Sequence, residues 1–157
     1  MDTSFLDRFD KKILQQLQIS NKVTSDQLSE QIGLSPASIQ RRINKLRKRK
    51  VISSDVSVID PYTVGMDMTF ITLVTLEREN TRIIQSYKQK WVNNKNVQQC
   101  YYVTGTSDFV IIITCKNMHE YNELTKSLFF DDDNVKNFHT SIVMESMKVS
   151  LQVPIEI

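Results

Sequence analysis

The stretch SPASIQRRINKLRKRK, residues 35–50, predicts a helix and gives that helix a strong positive charge. Ser35 is a good N-cap, and Pro36 suits the first helical position, where its missing N–H costs no hydrogen bond. Apolar residues recur every three or four positions and so share one helix face: Ile39, Ile43 and Leu46. Seven of the ten residues 41–50 are Lys or Arg, and none is acidic. A helix with so much unbalanced charge favours a polyanionic partner.

Two shorter helical patterns precede this one. Apolar residues at offsets of three and four predict a first helix over residues 6–17: Leu6, Phe9, Ile13, Leu14 and Leu17. Thr24 followed by Gln27 fits a capping box and begins a second helix, which Gly33 ends. The short connection around Gly33 has the spacing of a helix-turn-helix. The sequence therefore predicts a three-helix DNA-binding domain.

The basic helix supplies the predicted DNA contacts. Its N-terminal part would meet base edges in the major groove, where Gln pairs with adenine and Arg with guanine. Lys side chains further along would hold phosphates. The predicted DNA-binding residues are Ser35, Ser38, Gln40, Arg41, Arg42, Lys45, Lys48 and Arg49. A merely solvated helix, or one for RNA or an anionic membrane, is the alternative. Membrane binding requires an exposed apolar face, whereas this helix needs its apolar face inside.

Charge separates the chain of 157 residues into two parts. Residues 1–60 hold 11 Lys or Arg against 7 Asp or Glu, a net charge of +4, and residues 61–157 hold 9 against 11, a net of −2. Alternation in VISSDVSVI, residues 51–59, predicts a short wing or linker strand. Pro61 disfavours helix at the residue before it. We therefore expect a helix-turn-helix domain over residues 1–60 and a second domain over residues 61–157.

The second domain alternates strands with helices. Strand patterns cover residues 66–76, 97–103, 109–115 and 138–151, and helices begin after Asn80 and Asn117. This order, βαββαβ, predicts a ferredoxin-like fold with a four-stranded antiparallel sheet and two helices on one face. The fold class of the whole chain is therefore α+β: an N-terminal winged helix-turn-helix followed by a ferredoxin-like domain.

Several functional classes are not expected. The two cysteines, Cys100 and Cys115, lie in apolar strands and are predicted to be buried thiols rather than a disulfide or metal ligands. Neither His119 nor His139 pairs with them at metal-binding spacing. With Asp108, these residues form no nucleophile–base pattern, so no enzyme activity, cofactor or metal is expected. No apolar run reaches the ~18 residues of a membrane helix, and no secretory signal is evident. Cytoplasmic residence is expected.

Two parts of the sequence together resemble one family. LDRFDKKILQQLQ (residues 6–18) and SDQLSEQIGLSPASIQRRINKLRKRKVI (residues 25–52) resemble the DNA-binding domain of Lrp/AsnC, or feast/famine, transcriptional regulators. YYVTGTSDFVIIIT (residues 101–114) and FHTSIVMESMK (residues 138–148) resemble their effector domain. The resemblance implies a sequence-specific regulator of double-stranded DNA that dimerises through its sheets and often forms octamers. It also implies a small effector, typically an amino acid, at the interface between dimers.

The resemblance implies that nine residues of this sequence form the effector site. They are Tyr102, Thr104, Gly105, Thr106 and Asp108, with Phe138, His139, Thr140 and Ser141 from a neighbouring subunit. Two positions depart from the family pattern: Thr106 stands where an acidic residue is common, and Lys50 where a glycine is usual. A plain tight turn is the alternative for Gly105 and Asp108. An architectural, nucleoid-type protein with little sequence specificity is the alternative function, and a ferredoxin-like small-molecule enzyme is a more remote one.

Overall fold

The computed structural model describes residues 6–157, which form two compact units. The first contains the described residues up to Val58 together with Lys148–Ile157, and the second contains Ile59–Met147. The chain thus passes from the first unit to the second near residue 59 and returns to the first at its C-terminal end.

Three helices build the first unit. They are α1 (Arg8–Leu17), α2 (Ser25–Ile32) and α3 (Pro36–Lys48). Each begins at a side chain that accepts hydrogen bonds from otherwise unpaired backbone N–H groups: Asp7, Thr24 and Ser35. Their apolar faces meet in one core of buried residues: Ile13, Leu28, Ile32, Ile39, Ile43 and Leu46. The predicted inward face of α3 is therefore confirmed, and its basic residues are left on the other side.

The second unit has the predicted βαββαβ order. Its elements are β1 (Met68–Leu76), α4 (Thr81–Val92), β2 (Val97–Tyr102), β3 (Phe109–Cys115), α5 (Met118–Thr125) and β4 (Val135–Ile142). The strands form one antiparallel sheet in the order β2-β3-β1-β4. A π-helical turn, Lys126–Phe130, continues α5 and was not anticipated from the sequence.

Aromatic side chains fill the space between this sheet and its helices. Trp91 of α4 is fully buried and meets Phe109 of β3 edge-on at 4.7 Å between ring centroids. Tyr121 of α5 stacks on Phe70 of β1 at 3.7 Å. Burial of such large rings is the main stabilising contribution to a unit of this size. The core fixes both helices on one face of the sheet.

The strand register identifies what lies on the opposite face. Ile71 and Leu73 of β1 pair with Ile112 and Val110 of β3, so all four side chains point away from the helices. Ile71 and Leu73 remain 38% and 37% exposed. We call these four residues the open sheet face. It is an apolar surface on the face of this sheet opposite α4 and α5.

Two predictions about extended segments were wrong. Residues 53–60 contain no strand, so the wing expected over residues 51–59 is absent, because the extended backbone has no neighbouring strand with which to pair. The last strand begins at Val135 and ends at Ile142 rather than running to residue 151. Lys148–Ile157, expected in the second domain, instead packs with the first unit. There Gln15 Nε2 donates to Ile155 O at 2.7 Å, and Gln18 Nε2 donates to Val153 O at 3.0 Å.

Candidate nucleic-acid interface and effector site

The turn between α2 and α3 sets the direction of the basic helix. Gly33 ends α2 with φ of +80°, a left-handed conformation that L side chains adopt only at a cost. Ser29 Oγ then donates to Leu34 O at 2.6 Å and ties the turn back to α2. The Ser35 hydroxyl accepts from the backbone N–H of Ser38 at 3.3 Å. The turn chemistry expected from Gly33 and Ser35 is present.

The outward side of α3 carries the predicted contacts in an exposed row. Arg41, Lys45 and Lys48 are exposed and lie along one side of the helix, with Gln40 and Asn44 beside them. We call this set of five the α3 row. Among the other predicted residues, Ser35 and Arg49 are exposed and Ser38 is half-buried.

Two amides of the α3 row are already oriented by hydrogen bonds. Gln40 Nε2 donates to Asn44 Oδ1 at 3.2 Å, and Ser25 Oγ of α2 donates to Gln40 Oε1 at 3.0 Å. Holding an amide in place lowers the entropy lost when it meets a base edge. Gln40 is thus positioned from both α2 and α3.

Arg42 differs from its neighbours because it turns toward α1. Its Nη1 lies 2.8 Å from Asp7 Oδ2 and 2.8 Å from Asp10 Oδ1, and its guanidinium lies 5.6 Å from the centroid of the Phe9 ring. The hydrogen bond to Asp10 raises the pKa of Arg42, with Asp7 contributing. Partial burial acts to raise the pKa of Asp7, but hydrogen bonds from Asp10 N–H and Arg42 outweigh it and hold that pKa below its usual value. This cation joins α3 to α1.

A second ion pair in this unit was not predicted from the sequence. Arg47 Nε and Nη2 donate to the two carboxylate oxygens of Asp55, at 2.9 Å and 3.1 Å. The hydrogen bond from Arg47 lowers the pKa of Asp55. The pair fastens the chain after α3 to the helix itself. No pattern in the sequence distinguished Arg47 from the other basic residues around it.

The predicted effector turn is built on hydrogen bonds of its own. Asp108 Oδ2 accepts from Leu76 N–H at 2.7 Å, and Asp108 N–H donates to Val74 O at 2.9 Å. Thr104, Gly105 and Thr106 are exposed, and Gly105 has φ of +137°. One carboxylate oxygen of Asp108 is therefore already hydrogen-bonded to the backbone of β1.

The other predicted effector residues divide between two faces of the sheet. Phe138 and Thr140 pair with Val74 and Thr72 and so face the helices, where Thr140 Oγ1 lies 3.2 Å from Thr72 Oγ1. The alternate residues, His139 and Ser141, point to the other side. Tyr102 faces the helices as well, and its hydroxyl donates to Glu79 Oε2 at 2.7 Å. These side chains do not line one pocket within a single copy of the second unit.

A surface pocket of about 350 Å³ lies beside the start of β4. Its lining joins the π-helical turn to the start of β4: Phe129, Phe130, Val135, Lys136, Asn137 and Phe138. Phe130 is 69% exposed, and its ring meets Phe138 at 5.1 Å between centroids. Lys136 Nζ is 3.9 Å from Glu77 Oε2, a loose exposed pair. We call this the β4 pocket. Of its residues, only Phe138 is among the predicted effector-binding residues.

Two other kinds of site are absent from residues 6–157. No helix there combines the length and apolar character needed to cross a membrane. No three acidic, His or Cys side chains of the same range gather in a way that suits a metal ion. Cys115 is buried, and burial raises its pKa to about 11.

Comparison with known families matches both units. Residues 6–47 match the AsnC-type helix-turn-helix domain. Residues 69–153 match the Lrp/AsnC ligand binding domain. The two matches follow each other in the order of the two units.

Relatives cover nearly the whole chain. An uncharacterized HTH-type transcriptional regulator of Sinorhizobium fredii is 43% identical over 152 residues, which span 97% of this chain and 90% of that protein. The transcriptional regulator AzlB of Bacillus subtilis is 30% identical over 151 residues, 96% of each chain. The leucine-responsive regulatory protein of Escherichia coli is 24% identical over 151 residues, 96% of this chain and 92% of that protein.

Solved structures agree with this fold. A transcriptional regulator of Neisseria meningitidis in complex with L-methionine superposes with a TM-score of 0.87 at 23% identity, covering 95% of this chain and 96% of the other. The E. coli protein AsnC gives a TM-score of 0.83 at 21% identity, with 96% and 99% covered.

Proposed function

The chain belongs to the Lrp/AsnC family of transcriptional regulators and is a DNA-binding regulator with a ligand-binding domain; we propose that it recognises DNA through the α3 row. The observation that carries this proposal is the position of Arg41, Lys45 and Lys48 on one exposed side of α3, directly after the turn at Gly33. Arg41 would read guanine, and Gln40 would read adenine. Lys45 and Lys48 would hold phosphates, as would Ser35 at the helix start.

Arg42 has a separate part in this proposal. Its guanidinium is engaged by two carboxylates, so we assign it to holding α3 against α1 rather than to a phosphate. Ser38 is half-buried beside the N-cap, so in this proposal it would reach only the first bases that α3 meets. Arg49 extends the phosphate contacts at the far end of the helix.

Salt dependence tests the phosphate contacts. Each phosphate contact releases counterions, so the association constant K for DNA falls as the salt concentration rises. Lys45→Ala or Lys48→Ala should reduce the magnitude of the slope of log K against log salt concentration by about 0.9. Lys88→Ala, which removes an exposed charge from α4, is the matched control and should leave the slope unchanged. Equal slopes for all four proteins, measured by fluorescence anisotropy on one duplex, contradict the assignment of these lysines.

For the effector we propose an amino acid. The structural neighbour from N. meningitidis binds L-methionine, and the β4 pocket offers complementary chemistry. An apolar side chain would lie against Phe130 and Phe138, and its carboxylate would meet Lys136. The exposed turn tip, Thr104 to Thr106, would close over the ligand from a neighbouring copy. In this proposal Tyr102 and Asp108 position the turn, and His139 and Ser141 belong to contacts between copies.

A calorimetric screen against the twenty amino acids tests the effector. The proposal expects heat of binding from an apolar amino acid and a large loss of affinity in Lys136→Met, which removes the carboxylate partner. Lys116→Met, at an exposed position distant in sequence, is the control. Binding that Lys136→Met leaves intact, but Thr106→Val abolishes, would place the ligand at the turn alone. No binding by any amino acid at millimolar concentration contradicts the effector proposal.

We further propose that the chain works as a homodimer in the cytoplasm and assembles into larger oligomers, up to an octamer. The open sheet face is the dimer surface in this proposal, because four apolar side chains gather there on the side of the sheet away from α4 and α5. A symmetric dimer presents two α3 helices to a pseudo-palindromic site, about 34 Å or a multiple of it apart. An effector shifts such assemblies only as far as it binds them unequally.

A further inference from the structure

Lys50 has an unusual backbone conformation at the end of the basic helix. Among residues 6–157 it is the one non-glycine residue with positive φ, at +59°. It follows the last residue of the α3 cap, Arg49, and its N–H donates to Arg47 O at 3.0 Å. The next two N–H groups, of Val51 and Ile52, both donate to Leu46 O, at 3.0 Å and 3.4 Å. This turn ends α3, and it requires a left-handed residue at position 50.

A lysine is a poor choice for this turn. In the left-handed region an L side chain crowds the following carbonyl oxygen, whereas glycine fits without strain and asparagine with little. The Lys50 side chain is exposed, so it recovers no stability from core packing. Lysine at this position therefore lowers the stability of the turn without a compensating contact in its own unit.

Lys50 has no carboxylate partner among the described residues. Like Lys48, it is an exposed cation at the end of α3. The nearby carboxylate of Asp55 is occupied by both donors of Arg47. None of the ion pairs found in residues 6–157 involves Lys50. Favourable interaction with the negative end of the α3 dipole is already supplied by Lys45, Arg47 and Lys48 in the last turn.

We propose that Lys50 is a DNA phosphate contact, which extends the α3 row beyond the end of the helix. The inference rests on the proposed function, because it assumes that the outward side of α3 faces DNA. Lys50 contributes affinity and salt dependence without sequence preference, since a lysine on a phosphate carries no base information. The strained turn holds the ammonium group at the helix end, where an unstrained glycine would leave none.

Lys50→Gly and Lys50→Asn test this assignment, because both residues suit a left-handed turn and neither carries charge. Binding is measured on a selected duplex and on a random duplex, over a range of salt concentrations. Both variants should reduce the slope of log K against log salt by about 0.9, which is roughly a fivefold loss of affinity at about 150 mM salt, equal on the two duplexes. Lys50→Gly should also raise the melting temperature by a few degrees.

The outcomes separate this inference from the proposed function. A raised melting temperature with an unchanged salt slope overturns the inference and leaves Lys50 as a turn residue. A lowered melting temperature with weaker binding in both variants overturns it as well, because the lysine would then be needed for folding. If Lys45→Ala lowers the slope and Lys50→Gly does not, only the inference fails. If no variant lowers it, the proposed DNA surface itself is wrong.

Discussion

At the scale of single residues, Arg41 and Arg42 are adjacent in sequence but lie in different surroundings. Arg41 is exposed on the α3 row, whereas Arg42 contacts two carboxylates, one of which, Asp10, has a side chain only 7% exposed. Arg42→Ala would leave the Asp10 carboxylate buried without its partner. We expect this substitution to lower the free energy of unfolding by about 2 kcal/mol. Breaking a fully buried ion pair costs roughly 3–5 kcal/mol, and the expected loss is smaller here because the Arg42 side chain is 24% exposed.

Arg41→Ala is the matched control for this change. It should leave the free energy of unfolding within about 0.5 kcal/mol of wild type, since its side chain is exposed. Urea denaturation of both variants measures the difference. Equal destabilisation by the two substitutions would contradict the distinct roles.

Asp7 gives the first unit a dependence on pH. Its pKa is below the usual value in the folded chain, so its contribution to stability is full above the unfolded pKa of about 3.9 and is lost as pH falls through the folded pKa. Wild type should therefore lose stability below about pH 4. Asp7→Asn keeps a good N-cap but should lose less stability over that window. Urea titrations at several pH values compare the two, and identical losses would contradict this role for Asp7.

The sequence predicted Arg41 correctly as an exposed basic residue of α3 but gave no means of separating Arg42 from it. Helical periodicity places a side chain on a face, and that was enough for Ile39, Ile43 and Leu46. The partners of Arg42 lie more than thirty residues away in sequence, on α1. Only the packing of one helix on another brings those carboxylates to it.

At the scale of elements, capping and alternation predicted most helices and strands, and the failures involve segments that need a partner. The wing pattern over residues 51–59 alternates like a strand, yet no other strand lies beside it. The extended C-terminal segment, Lys148–Ile157, contacts α1 instead of the sheet. The π-helical turn after α5 is a rare element that helical periodicity does not indicate, so the side of the β4 pocket formed by Phe129 and Phe130 was not predicted.

Removing the C-terminal segment tests its contact with α1. Four hydrogen bonds join Gln15 or Gln18 to the backbone or side chains of residues 152–155. Because most of these groups are exposed, we expect truncation after Met147 to destabilise the first unit by only about 1–2 kcal/mol. Hydrogen exchange should show α1 opening more often, while β3 in the other unit is unchanged. Glu156→Gln is the control, and unaltered exchange of α1 on truncation would contradict the contact.

At the scale of the whole molecule, the open sheet face carries the proposal of assembly. Leu73→Asp places a carboxylate in the centre of that face and should convert dimers to monomers, because burying an unpaired charge is costly. Val92→Asp adds the same charge at a 69% exposed apolar position on α4 and is the control. Light scattering after gel filtration measures both masses. A Leu73→Asp variant that remains dimeric places the interface elsewhere.

We propose that this chain reads a DNA sequence with α3, and a binding selection from random duplexes tests that proposal most directly. Anisotropy then compares the selected duplex with a scrambled one at about 150 mM salt. We predict a preference of about a thousandfold or more for wild type, reduced at least tenfold by Arg41→Ala. Selection without a consensus, and equal affinity for the two duplexes, would contradict sequence-specific regulation and indicate an architectural DNA-binding protein.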